Sequence, residues 1–399
     1  MIKPHGSQEL NPLFVADPAS RSTLLAKANG LPSIFISSGA AASAVMLGSG
    51  YFTPLQGYMD LEQVKSVAAA MKLPDGLLWP VPVVNIVPEF QLPASVSVGS
   101  RVALLDPNVD GNPVLAIQEI TAIEKISDDD RRTILQQVFG TTDDAHPGVA
   151  AFTAMGDSLL AGPIQVLGYS YFRTDFPDTF RTAVELRDAI AALGWEKVVA
   201  FQTRNPMHRA HEELCRMAQQ QTNADGILIH MLLGKLKQGD IPADVRDASI
   251  RKMVDLYFPK NTVLIACYGY DMLYAGPREA VLHAIFRQNS GCTHLIVGRD
   301  HAGVGDYYGP FDAQTIFDDI PSDSLEIEIF RGDHTVWCKK CNEVVMMRDC
   351  PHDKEDYLFL SGTQVRQMLA AGEPLPPEFA RPEVAEILMN YYQEEAAQS

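Results

Sequence analysis

Basic residues are scarce in this chain: 32 Lys and Arg stand against 50 Asp and Glu, a net charge of −18. Broad binding to nucleic acid needs a basic surface, so that class of function is disfavoured. Any anion bound here has to be met by a local cluster of cations working against the global field. Long hydrophobic runs are missing too. No stretch reaches the roughly 18–20 apolar residues that cross a bilayer. The start, MIKPHGSQELNPLFV, lacks the basic head and apolar core of a signal peptide. A soluble, cytoplasmic protein is expected. Low-complexity tracts are absent, which argues against disorder as the main state, and there is no internal repeat. The pattern G-x-x-x-x-G-K-[ST] does not occur, so nucleotide chemistry here would not use a Walker P-loop. Cysteines number only six, and in a chain with no export signal the close group of three near residue 345 points to metal before disulfide.

What is present is a chain of 399 residues, 46% apolar, long enough for two or three domains with substantial cores. Up to about residue 165 the texture is of short β-like runs broken by Pro and Gly, such as LWPVPVVNIV, SRVALLD and NPVLAIQEITAIEKI, with a helix over DLEQVKSVAAAMKL. AMGDSLLAGPIQVLGYSYFRTDFPDTFRTAV has weak periodicity and reads as a passage between domains. From about 183 the texture changes. Amphipathic helices alternate with the buried strands KVVAFQ, GILIHMLL, TVLIACYG and HLIVGRD, which implies a parallel sheet with helices on both faces. In such sheets ligands bind beyond the carboxyl ends of the strands.

The polar clusters fall at those ends. In FQTRNPMHRAHE, Gln202, Arg204, Asn205, His208 and His211 gather where a strand passes into a helix, with Pro206 suited to the first helical turn. A guanidinium, neutral donors and free helix N–H groups together suit an anion. Zinc ligation by the His pair is weaker, because the spacing is not that of HExxH. In HLIVGRDHAGVG, a second strand runs into Gly298, Arg299, Asp300, His301 and Ala302, with Gly303 and Gly305 behind them. Glycines there let the backbone approach a ligand and present N–H groups. The loop MLLGKLKQGDIP carries Lys235 and Lys237, balanced between a phosphate contact and a solvated loop. LSGTQVRQML places Arg366 one turn into a helix, where an ordinary cap with a solvated Arg is the favoured reading. WCKKCNEVVMMRDCPH groups Cys338, Cys341, Cys350 and His352 as C-x2-C-x8-C-x-H, a complete tetrahedral set for a structural zinc. Cys215, Cys267 and Cys292 stand alone in apolar surroundings and read as buried thiols.

QTRNPMHRAHE and GRDHAGVG, in this order, resemble the ATP sulfurylase (sulfate adenylyltransferase) family; IKPHGS, GYFTPLQGYM and SYFRTDFPDTF are similar to further family segments, so the resemblance spans nearly the whole chain. It implies a β-rich PUA-like barrel over residues 1–168, a Rossmann-like HxxH nucleotidyltransferase domain over 169–325, and a small zinc-bearing C-terminal domain over 326–399. The implied reaction is ATP plus sulfate to adenosine 5′-phosphosulfate (APS) plus pyrophosphate, with Mg²⁺ on the nucleotide. Gln202, Arg204 and the backbone at Ala302 would hold sulfate. Thr203, Arg204, Asn205, His208 and His211 would form the catalytic run, and Gln202, Asn205, His208, His211 and Gly298 to His301 would meet the nucleotide. LSGTQVR is similar to a phosphate-binding signature of the wider superfamily. A single-function form without a fused APS kinase, and a homo-oligomer, are expected. Two alternatives stay open: another HxxH nucleotidyltransferase with a different acceptor, and, more remotely, an RNA-binding zinc protein.

Overall fold

The computed structural model describes residues 1–234 and 241–398. The first part is built on one mixed sheet of seven strands. Its hub is the strand Ser158–Val166, which pairs antiparallel with Gly57–Tyr58, Ile86–Val87, Val114–Glu119 and Ala122–Lys125. This strand lies inside the segment expected to be a passage between domains. Gly162 and Pro163 in its middle break the alternation by which a strand is recognised. Gly162 has φ +134°, and a Cβ there would run into the Glu119 carbonyl oxygen. In contrast, LWPVPVVNIV yields only the two-residue strand Ile86–Val87, because its prolines cannot donate to a ladder. The helix Leu61–Ala70 starts at a reciprocal cap between Asp60 and Gln63.

The second sheet is wholly parallel, with five strands. In space they run Val263–Tyr268, Gly226–Leu232, Val198–Thr203, His294–Val297, Glu328–Arg331. The first to form in sequence, Val198–Thr203, is therefore central, with two later strands on each side. The strand order reverses between Val198–Thr203 and His294–Val297, which opens a crevice beyond their carboxyl ends. Residues 227–232 are buried on both faces, as a covered parallel sheet demands. The strand Glu328–Arg331 completes this sheet from beyond residue 325. One continuous core joins the two sheets, while the C-terminal helices Gly362–Ala370 and Pro382–Gln398 pack around a separate small cluster. No helix among the described residues is long and apolar enough to cross a membrane.

Candidate active site

Both donor-rich motifs open into one cleft of about 290 Å³ at the point where the strand order reverses. Gln202, Thr203, Arg204, Asn205, His208 and His211 come from the end of the central strand. Gly298, Arg299, Asp300, His301 and Ala302 come from the end of its neighbour. The strands pair directly, with Ile296 beside Phe201.

The turn after Thr203 is held by Thr203 itself. Its hydroxyl donates to the Asn205 carbonyl (2.7 Å) and accepts the Asn205 N–H (3.1 Å). Thr203 is buried, so it organises the turn. The helix begins at Arg209, with His208 as its cap and Pro206 in the turn before it. Arg204 lies over the Tyr274 ring, 5.0 Å from its centroid, and one amino group donates to the Gly303 carbonyl at 3.4 Å. Its other amino group, Nη1, is buried and has no protein partner. A shielded guanidinium nitrogen with nothing to bind, at a cleft wall, is a ready anion donor.

The two histidine rings sit 4.0 Å apart, and His208 also stacks on Phe379 at 4.8 Å. Burial holds the His208 pKa well below its ordinary value, with the nearness of His211 adding to the effect; burial alone lowers His211 to about 4. Both imidazoles are therefore neutral near pH 7. His211 Nδ1 accepts the His208 N–H at 3.5 Å, so its proton resides on Nε2, free to donate.

On the second wall, Asp300 and Ala302 take left-handed φ values of +53° and +56°. Such values cost non-glycine residues energy and re-aim the backbone. Among the described residues no acceptor takes the Ala302 N–H. His301 is lowered to about 3, by burial first and by Arg287 and Arg204 next. Its Nε2 lies 2.9 Å from His283 Nδ1, and His283 Nε2 lies 3.6 Å from the Glu279 carboxylate. Glu279 is fully buried, which raises its pKa to about 7 despite N–H donors from Leu273 and Ala275.

Sequence reasoning missed this supporting layer. Glu279, His283 and Arg287 recur at intervals of four on the helix Pro277–Asn289, a spacing that reads as an ordinary polar face. In the fold every residue from Glu279 to Asn289 is buried. The readable signal was the ladder of ionisable groups between two strands. Asp333, His334 and Thr335, which close the cleft from the C-terminal side, were also missed. Arg366 lies in an adjoining cavity of about 370 Å³ that shares Asn205, His208 and His211 with the cleft. Its helix starts at the expected Ser361 cap. Lys235 and Lys237 lie outside the described residues.

Cys338, Cys341, Cys350 and His352 converge beside the cleft, with all four ligand atoms within 4.8 Å of one another. The Cys341 and Cys350 sulfurs are 3.7 Å apart, too far for a disulfide, and His352 Nδ1 lies 3.3–3.5 Å from each sulfur. Metal–sulfur bonds of about 2.3 Å in a tetrahedron give edges of roughly 3.8 Å, and mixed S–N edges are slightly shorter, so the set fits such an ion. It fastens the hairpin Thr335–Cys338/Glu343–Met346, whose first strand carries Thr335 to the cleft. The same hairpin and the C-terminal helices are tied to the helix Arg209–Thr222. Arg209 stacks on Trp337, and the buried Glu212 pairs with Arg216 and Arg381.

Comparison with known proteins identifies the family. Residues 177–391 match the ATP-sulfurylase family and residues 2–169 the PUA-like domain family. The chain is 62% identical to a sulfate adenylyltransferase of Alcanivorax borkumensis over 395 residues, and 61% identical to one of Allochromatium vinosum over 394 residues; each match covers 98% of both chains. Among solved structures it resembles a chain described as a hexameric APS kinase from Thiobacillus denitrificans. That match has a TM-score of 0.74 and 25% identity, and covers 98% of this chain and 68% of the other.

Proposed function

The chain belongs to the ATP-sulfurylase family, and from that premise we propose how its cleft performs sulfate adenylyl transfer. The reaction is ATP plus sulfate giving APS plus pyrophosphate, reversibly. Sulfate is already ionised and needs no general base. The difficulty is bringing a dianion to a polyanion, so positioning and charge neutralisation carry the catalysis.

The unpartnered Nη1 of Arg204 is the observation that supports this reading most directly. Arg204, the Gln202 amide and the Ala302 N–H hold sulfate. A sulfate oxygen attacks the α-phosphorus in line, and pyrophosphate leaves opposite. Asn205, His208 and His211 meet the phosphates. The neutral imidazoles donate N–H to oxygens that gain charge and take up no proton. Thr203 acts by holding the turn. Gly298 to His301 line the nucleotide side. Mg²⁺ bound with the nucleotide would offset part of the phosphate charge. The cleft carboxylates are already engaged, Asp300 with Arg299 and Asp333 with the Arg348 N–H, so the phosphates supply its anionic ligands. The Cys338, Cys341, Cys350 and His352 set holds zinc in a structural role. A cytoplasmic homo-oligomer completes the reading.

The test is formation of ATP from APS and pyrophosphate, followed by a coupled assay. Arg204→Ala and His208→Ala should each cost about 10²–10³ in rate while the fold is retained. A folded His208→Ala protein with wild-type turnover would overturn the assignment. Sulfate-dependent release of pyrophosphate from ATP separates this acceptor from others.

A further inference from the structure

Arg287 is a charge in the protein interior that the reaction scheme leaves idle. It is fully buried in the helix Pro277–Asn289. Among the described residues no carboxylate pairs with it. Its Nη1 donates to the His283 carbonyl at 3.3 Å, and its Nε has no partner. Around it stand neutral or aromatic groups: the Tyr268 ring at 5.0 Å, the Phe286 ring at 5.9 Å, and His230, His283 and His301. Burial keeps those three histidines neutral, and the Arg287 charge reinforces it. A buried cation without a counter-ion costs stability, so folds rarely keep one unless something else supplies the anion.

Its one contact toward the cleft is informative. Arg287 Nη2 lies 3.0 Å from Gln202 Oε1, and the Tyr268 hydroxyl donates to the same oxygen at 2.8 Å. A guanidinium only donates, so the carboxamide atom facing it has to be the oxygen. Gln202 is thereby locked with its oxygen inward, and its NH₂ group is the part left for the cleft. Resting on the sulfate-site reading above, we propose that Arg287 is the resident counter-charge of the oxyanion subsite. It fixes Gln202 as a donor and polarises that amide, and the bound dianion is the partner its buried charge otherwise lacks. Arg287 is a positioning residue: it acts through Gln202 and does not touch the substrate.

The experiment varies sulfate and ATP separately in wild type, Arg287→Met, Arg287→Lys and Gln202→Glu, and measures Tm in a few millimolar sulfate against chloride of matched ionic strength. Losing a charge-assisted positioning contact should raise the KM for sulfate about 10- to 100-fold in Arg287→Met, with the KM for ATP moving less than about threefold. Arg287→Lys, which keeps the charge, should fall between. Without sulfate, Arg287→Met should melt no lower than wild type, because an uncompensated charge has gone, and its sulfate-dependent rise in Tm should vanish. Gln202→Glu gives Arg287 a carboxylate partner. It should melt higher than wild type and no longer respond to sulfate, and this arm decides the matter if Arg287→Met does not fold. An unchanged KM for sulfate in Arg287→Met overturns the proposal, as does a parallel rise in both KM values with a lower Tm, or a Gln202→Glu protein that melts lower. A wild type that forms no APS from sulfate defeats the sulfate reading itself, an outcome distinct from these.

Discussion

His208 and His211 face the cleft as neutral rings, and that neutrality has a cost in acid. The His211 pKa is about 4 in the fold, below the ordinary value of 6.5. As pH falls from 6.5 toward 4, the unfolded chain takes up a proton that the folded chain refuses. Stability contributed by this group is therefore present above 6.5 and lost across that window. His211→Gln should flatten the acid limb of a urea-midpoint profile by about 1–3 kcal/mol, with no change above pH 7; an identical limb would show that the ring titrates normally. At this scale the sequence was legible where packing could not explain a residue. Gln202, Arg204 and the two histidines crowd a turn that needs none of them. Arg287 and Glu279 were hidden, because a polar residue at every fourth helical position resembles a wet face until the helix is seen to have none.

Among the elements, Ser158–Val166 shows what a pattern can conceal. A strand paired by neighbours along its whole length depends on Gly162 at φ +134° against the Glu119 carbonyl, and the same glycine erased the period that would have revealed it. Gly162→Ala should destabilise the first part by about 2–4 kcal/mol in denaturant unfolding; a change below the error of the measurement would contradict the packing described. The alternating segments after residue 183 were easy by comparison, since buried parallel strands are short apolar runs and Gly194 closes a helix at φ +70°. The Cys/His cluster was legible because its four members are local in sequence. What was not legible is that the hairpin they fasten forms one wall of the cleft. Metal analysis of the purified protein should find about one zinc per chain. Cys341→Ser should lose it, raise the KM for ATP and speed amide exchange over Thr335–Met346, since the hairpin has little core of its own. A metal-free wild type would refute the site.

Over the whole molecule the net charge of −18 opposes every substrate the enzyme uses. The cations that attract them are few and recessed, so diffusional encounter is governed by the outer field. Raising ionic strength from low to physiological salt should increase kcat/KM for ATP several-fold, because screening acts over about 8–10 Å. A decrease would mean that Arg204 and its neighbours dominate at long range. The cleft also unites residues far apart in the chain. Gln202, Ala302 and Thr335 line it together, with Arg287 behind Gln202 and Phe379 against His208, so the parallel sheet and the C-terminal segment both contribute. The stacking of Phe379 on His208 therefore couples the C-terminal segment to the cleft. Without that segment the His208 ring would keep its place at the strand end but lose the aromatic face it rests on. The completeness of the cleft therefore depends on the fold of the whole molecule.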